Sequence, residues 1–209
     1  MFRRCLVVGA LALLGLAALV PTHGLVGQEN QDPKKSKFFN DTFRPTEDEI
    51  TEKMLELCKA KKSDLVFDLG CGEGHMLIYA AKKYGCKGIG LELNAERAEL
   101  ARKKVKEAGL EKMIEIRTAD ALTVKDIDKA NVVILYMFPQ FHTWMWKAYE
   151  GKFAPGTRVA SHDYKSDDYG PKPDVSIEDF KTKEGRTARI YQWTVKAGKK
   201  AEKSEKGEK

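Results

Sequence analysis

Cysteine is scarce in this 209-residue chain, and its four copies, Cys5, Cys58, Cys71 and Cys86, include no C-x-x-C pair. The absence of that spacing counts against a metal site, and three cysteines beyond the N-terminal segment make no disulfide framework. Only Cys58 and Cys86 remain as a possible pair. Histidine is as sparse: His23, His75, His142 and His162 stand far apart, so no metal site is expected. A one-sided charge is lacking as well. Of the formal net charge of +6, Arg3 and Arg4 supply two and the tail Lys196 to Lys209 supplies three, leaving about +1 for everything between. A body so nearly neutral gives no reason to expect a nucleic-acid partner.

Long apolar runs are absent except for one. Arg3 and Arg4 precede sixteen apolar residues from Cys5 to Val20, stopped by Pro21. This is the build of a secretory signal or a membrane anchor, shorter than a spanning helix of about 20 residues. No A-x-A cleavage site follows, the best small pair being Thr22 and Gly24, and Lys34, Lys35 and Lys37 balance the arginines, so orientation is left open. The chain divides into a signal or anchor (1–24), a polar linker (25–42), one globular domain (43–195) and a charged tail (196–209). The tail has no apolar face to bury and reads as disordered. An exported or membrane-anchored protein is expected, with membrane contact only through the N-terminal segment.

What the chain does have is concentrated in Asp68-Leu69-Gly70-Cys71-Gly72-Glu73-Gly74, which follows the apolar run Leu65-Val66-Phe67 and precedes a helical pattern. Alternate glycines let a backbone turn tightly and come close to a ligand where a helix begins. A dinucleotide fingerprint needs Gly or Ala at the sixth place counted from Gly70, and His75 stands there. The loop is therefore a poor pyrophosphate cradle, whereas Asp68 suits a ligand with a cationic amino group. Gly88 to Asn94 reads as a second strand ending in Glu92, roughly 20 residues past the loop, where a carboxylate can accept from both ribose hydroxyls. Ile114 to Ala121 reads as a third strand ending in Asp120.

The remaining pattern frames these strand ends. Thr46-Glu47-Asp48-Glu49 predicts a capping box opening a helix whose buried stripe is Ile50, Met54, Leu57 and Cys58. A second helix is expected from about Glu73 to Tyr84, and a third from Asn94 to near Gly109. Asn131 to Tyr136 predicts a central strand covered on both faces, Thr157 to His162 a fifth, and Asp174 to Phe180 with Ala188 to Val195 an antiparallel hairpin. Strands alternating with helices predict an α/β fold: a doubly wound, mostly parallel, seven-stranded sheet with a C-terminal antiparallel hairpin.

The D-L-G-C-G-E-G loop, with Glu92 and Asp120 ending the next strands, resembles the first motifs of class I S-adenosylmethionine-dependent methyltransferases, over roughly residues 43 to 195. The resemblance implies S-adenosylmethionine as cofactor, held by Asp68, Gly70, Cys71, Gly72, Gly74, Glu92, Leu93, Asn94, Asp120, Ala121 and Tyr136. Beyond the fourth strand lies Tyr136-Met137-Phe138-Pro139-Gln140-Phe141, followed by Trp144 and Trp146. The Asp or Asn, double proline and aromatic of nucleobase amino-methylating enzymes are missing there. The arm Asp41-Thr42-Phe43-Arg44-Pro45-Thr46, the Tyr136-x-x-Pro139 stretch and Ser161-His162-Asp163 are together similar to bacterial relatives of the ATP-synthase c-subunit lysine methyltransferase group. That similarity places Pro45 and Thr46 at the cofactor and implies a protein lysine acceptor, with Tyr136 and His162 as catalytic candidates. A small-molecule acceptor, and an exported nucleoside-binding module without turnover, are the rival expectations.

Overall fold

Seven strands share one sheet in the order β3-β2-β1-β4-β5-β7-β6. They are β1 Leu65–Leu69, β2 Lys87–Glu92, β3 Ile114–Thr118, β4 Val132–Leu135, β5 Arg158–His162, β6 Val175–Lys181 and β7 Thr187–Thr194. The first five pair in parallel, and β7 runs antiparallel to both β5 and β6. This computed structural model describes residues 44–197. The signal or anchor, the linker, the first part of the arm (41–43) and the tail from residue 198 lie outside the described residues. Among those described, no helix is long and apolar enough to cross a membrane.

The side chains of each strand alternate faces with a period of two, so the sheet presents an apolar surface on both sides. Val66, Val132 and Ile134 point to one side, where α1 Asp48–Leu57, α2 His75–Tyr84 and α3 Ala95–Glu107 bury Ile50, Met54, Leu77, Ala98 and Val105. Phe67, Leu69, Val133 and Leu135 point to the other side, against Phe141, Met145, Trp146 and Tyr149 of α4 Pro139–Ala148 and its C-cap. Each large apolar side chain so buried contributes about 1.5–3 kcal/mol. Helices do not follow every strand: a single 3₁₀ turn, Ile127–Lys129, lies between β3 and β4, and an irregular loop joins β5 to β6.

Several local expectations are corrected. The capping box does not form: Glu47 is the N-cap of α1, without a side-chain cap. The Thr46 hydroxyl lies 3.1 Å from His162 Nδ1, and the Glu49 carboxylate accepts from the Lys183 amide at 2.8 Å. Tertiary partners have taken both box residues. Leu55, not Leu57, completes the buried stripe of α1, and α2 begins at His75, after Gly74. β3 ends at Thr118, so Asp120 stands two residues beyond it, its carboxylate accepting from the Leu122 amide at 2.8 Å. Cys58 and Cys86 are both buried and free, with no disulfide between them. The Asn94 cap on α3 forms, accepting from the Arg97 amide at 2.9 Å.

Candidate active site

The chain winds outward from β1 to β2 and β3, then crosses to β4 on the other side, so the carboxyl ends of β1 and β4 part and leave a crevice. A cavity of about 680 Å³ opens there. Its walls come from the carboxyl ends of five successive strands and the segments just after them: Gly70 and Cys71, Leu91 to Leu93, Ala119 to Leu122, Tyr136 to Phe138, and Tyr164. Arg44, Pro45 and Thr46 of the arm close one side, and Phe141 and Trp144 of α4 another.

The glycine loop is built for close packing. Gly70 and Cys71 both donate their amides to the Leu91 carbonyl at 2.9 Å, stitching the loop to β2. This approach needs Gly90, since a Cβ there would lie 2.7 Å from Cys71 Sγ. Gly70 has φ +91°, and a Cβ on it would meet Met137 Sδ at 2.7 Å. Gly70→Val is therefore expected to cost about 3 kcal/mol or more of stability as well as the ligand site. Urea unfolding checks this, and an unchanged midpoint would leave the glycine with a ligand role only.

The two acids behind the loop differ in how they are satisfied. Glu92 accepts from the Gly72 amide at 3.0 Å through one oxygen and from the Asn94 amide at 2.8 Å through the other, with Arg97 3.7 Å away. Each oxygen keeps one acceptor site, as a vicinal diol requires. Asp68 is fully buried and neither of its oxygens has a hydrogen-bond partner. Burial, reinforced by the charge of Glu92, pushes its carboxyl well above the usual range. An unmet buried carboxylate and a half-satisfied one fit a ligand carrying a cationic amino group and a ribose.

Of the residues expected to hold a cofactor, Pro45, Thr46, Gly70, Cys71, Glu92, Leu93, Asp120, Ala121 and Tyr136 line the cavity. Asp68, Gly72, Gly74 and Asn94 do not line it: Asp68 and Gly72 lie behind the wall, Gly74 caps α2, and Asn94 caps α3. Tyr149, its hydroxyl raised to about 12 by burial, donates to the Ala121 carbonyl and accepts from the Val124 amide, pinning the loop after β3. Sequence reasoning missed Arg44, His75, Arg97 and Tyr164 on the cavity wall. His75 opens α2 and pairs with Asp48 at 2.8 Å, a contact no local pattern announces.

His162 is not on the wall. It is fully buried, stacked against Tyr136 with ring centroids 3.9 Å apart. Burial lowers its pKa to about 4, so the ring is neutral at pH 7. Its Nδ1 faces the Thr46 hydroxyl at 3.1 Å and its Nε2 faces Arg186 Nη2 at 3.4 Å. With both nitrogens engaged inside the protein, the ring supports the arm and Tyr136 and has no nitrogen facing the cavity. His142, buried beneath β5, is likewise lowered to about 4 by burial, and its Nε2 lies 3.0 Å from the Met137 carbonyl.

These two histidines set an acid limit on stability. Their folded pKa of about 4 lies below the ordinary 6.5, so the unfolded chain binds more protons between those values. Their contribution is fully present above pH 6.5 and lost as pH falls toward 4, by up to about 3 kcal/mol each. Guanidinium titrations at pH 7 and pH 5 should show this fall, and His142→Gln should remove part of the slope. A pH-independent midpoint for the wild type would contradict it.

A doubly wound sheet with a glycine loop, a half-satisfied acid ending β2 and an aromatic-walled crevice defines an S-adenosylmethionine-dependent methyltransferase. Residues 68–173 match the ANTKMT methyltransferase domain, and the chain belongs to that family. It is 33% identical over 138 residues to a protein-lysine N-methyltransferase of Saccharolobus islandicus, covering 66% of this chain and 85% of the relative. An RNA methyltransferase of Salinibacter ruber, solved in complex with S-adenosyl-L-homocysteine, superposes with a TM-score of 0.66 at 33% identity, covering 74% and 95% of the two chains. The B. subtilis m1A22 tRNA methyltransferase shares the fold at a TM-score of 0.60 and 14% identity, covering 73% of this chain and 68% of that one. The cofactor is S-adenosylmethionine, and the chain is an enzyme, which sets aside the reading as a binding module without turnover.

Proposed function

We propose that this enzyme transfers the methyl group of S-adenosylmethionine to the side-chain nitrogen of a lysine on a protein. The observation that carries the reading is the aromatic end of the cavity, where Tyr136, Phe138, Trp144 and Tyr164 line the wall next to the glycine loop. The likeness to the Saccharolobus protein-lysine N-methyltransferase supports it. Aromatic faces attract an alkylammonium by about 0.5–2 kcal/mol, and an apolar wall favours the neutral amine that must attack. The bond from nitrogen to methyl carbon forms as the sulfur–carbon bond breaks in line, so placement is the main catalytic demand.

In this reading Asp68 compensates the amino group of the cofactor, with Gly70, Cys71, Gly72 and Gly74 shaping the loop around it. Glu92, with Leu93 and Asn94, holds the ribose. Asp120 and Ala121 face the adenine, and Pro45 and Thr46 cover the site. When bound, the cofactor supplies an electrophilic methyl on a sulfonium. Tyr136 orients the acceptor amine. Burial and the neighbouring Asp163 raise its hydroxyl above the ordinary range, so it acts as a hydrogen-bonding group and not as a base. Tyr136→Phe should lower kcat about tenfold and leave cofactor affinity within about twofold, since the ring is retained. Wild-type turnover in that variant would remove Tyr136 from the acceptor site.

The Salinibacter relative gives RNA as the second reading, and the near-neutral body of this chain speaks against it. Incubating purified enzyme and methyl-labelled cofactor with a cell extract separates the two: label released by protease supports the proposal, and label released by ribonuclease overturns it. We further propose that residues 1–24 bring the domain to or across a membrane, a placement that fractionation of cells expressing the full chain tests.

A further inference from the structure

Arg186 stands at the end of the turn between β6 and β7, fifty residues from Tyr136 in sequence, yet its guanidinium reaches the back of the cavity wall. Its Nη2 lies 3.4 Å from the Tyr136 hydroxyl, 3.4 Å from His162 Nε2 and 3.6 Å from Asp163 Oδ2. Its Nη1 donates to Glu47 Oε1 at 3.1 Å. The Tyr136 hydroxyl in turn donates to Asp163 Oδ2 at 3.4 Å. The Tyr136 ring stacks on both His162 and Tyr164, with centroids at 3.9 and 5.9 Å, so packing fixes its plane. The direction of its O–H is left to Asp163 and Arg186.

We infer that Arg186 is a positioning residue for methyl transfer: it donates to the Tyr136 hydroxyl while Asp163 accepts from it, fixing the lone pair that Tyr136 turns toward the acceptor amine. The supports of this pair are unusually firm. Asp163 has φ +60°, a conformation that costs a non-glycine residue about 1–3 kcal/mol, and is clamped to β7 by two bonds with the Arg189 backbone at 2.7 and 2.9 Å. Arg186 is itself held by its turn, its amide donating to Thr182 Oγ1 at 3.2 Å and its carbonyl accepting from the Thr182 amide at 2.9 Å. His162 Nε2 and Asp163 Oδ2, themselves 3.4 Å apart, both face this side of the guanidinium. A planar fork reaches Glu47, Asp163 and Tyr136 at once, which a lysine ammonium at the end of its stem cannot reproduce.

The inference rests on the reading of Tyr136 as the acceptor-orienting residue, and its test has one arm that needs no acceptor. With tyrosine labelled at the ring carbon bearing the hydroxyl, the Tyr136 resonance is assigned by its loss in Tyr136→Phe. Arg186→Gln should move that resonance and raise its titration midpoint, because a neighbouring cation and donor is lost. Glu47→Gln breaks the same ion pair from the far side and should leave it in place. In the second arm, label transfer from methyl-labelled cofactor to the proteins of a cell extract is timed. Arg186→Gln should lower the rate about tenfold, Arg186→Lys should keep the fold without restoring the rate, and Glu47→Gln should stay within about twofold. Arg186→Gln combined with Tyr136→Phe should be no slower than Tyr136→Phe alone. An unmoved Tyr136 resonance in Arg186→Gln, multiplying losses in the double variant, or an equal loss in Glu47→Gln would overturn the inference. Should the wild type label no lysine at all, the lysine reading fails, and the resonance still decides whether Arg186 holds Tyr136.

Discussion

Asp68→Asn is expected to change stability and affinity in opposite directions: the cofactor-free protein becomes more stable, and S-adenosylmethionine binds at least about tenfold more weakly. Asp68 is fully buried, and neither of its oxygens has a partner. Its folded pKa lies well above the ordinary 3.8, through burial first and the charge of Glu92 second. A raised carboxyl means that the folded state keeps a proton that the unfolded chain has released. Stability is thus lost as pH rises from about 4 through the folded value. An amide of the same shape never ionises, so it removes that loss, and the melting temperature at pH 8 should rise. In the proposed reading the same amide offers no charge from behind the Gly70–Cys71 wall to offset the amino group of the cofactor, and losing a charge interaction of this kind costs about 1.5–3 kcal/mol. Melting curves without cofactor, paired with calorimetric titration, check both signs. A variant that melts lower and binds normally would make Asp68 a structural residue.

Glu92→Ala should weaken cofactor binding by about 1.5–3 kcal/mol and also lower the melting temperature, because two kinds of contact are lost together. One is the pair of acceptor sites open to a diol. The other is the internal tie: the Gly72 and Asn94 amides, which donate to Glu92 at 3.0 and 2.8 Å, would lose their acceptor. Glu92→Gln separates them in part, since its carbonyl oxygen satisfies one amide while its NH₂ opposes the other. Calorimetry on both variants should rank the wild type above Gln and Gln above Ala. Equal affinity across the three would detach the end of β2 from the cofactor.

What could be read along the chain was whatever a short stretch of backbone determines by itself. The acid before the glycine loop, the acid ending β2, the Asn94 cap and the apolar run of β4 depend on neighbours within a few residues, and all fall where the pattern placed them. The capping box failed because Thr46 and Glu49 found partners in β5 and in the β6–β7 turn, more than a hundred residues away. Arg186 was hidden in the same way, since only a hairpin folding back across β5 brings it to Tyr136, fifty residues earlier in the chain. His162 was singled out by residue type at a strand end, but the alternation of β5 turns it behind Tyr136 and away from the cavity. Nothing in their local pattern placed His75 and Arg44 on the cavity wall, since only the folding of α2 and the arm about the crevice brings them to it.

The central claim is that the acceptor is a lysine nitrogen on a protein, and tandem mass spectrometry tests it most directly. Purified enzyme is incubated with S-adenosylmethionine carrying a deuterated methyl group and with the proteins of a strain lacking the gene. The account predicts deuterated methyl groups on lysine side chains of a small set of proteins, lost with Asp68→Asn and strongly reduced with Tyr136→Phe. Deuterated methyl groups on nucleotides or small metabolites, with protein lysines unlabelled, would contradict it.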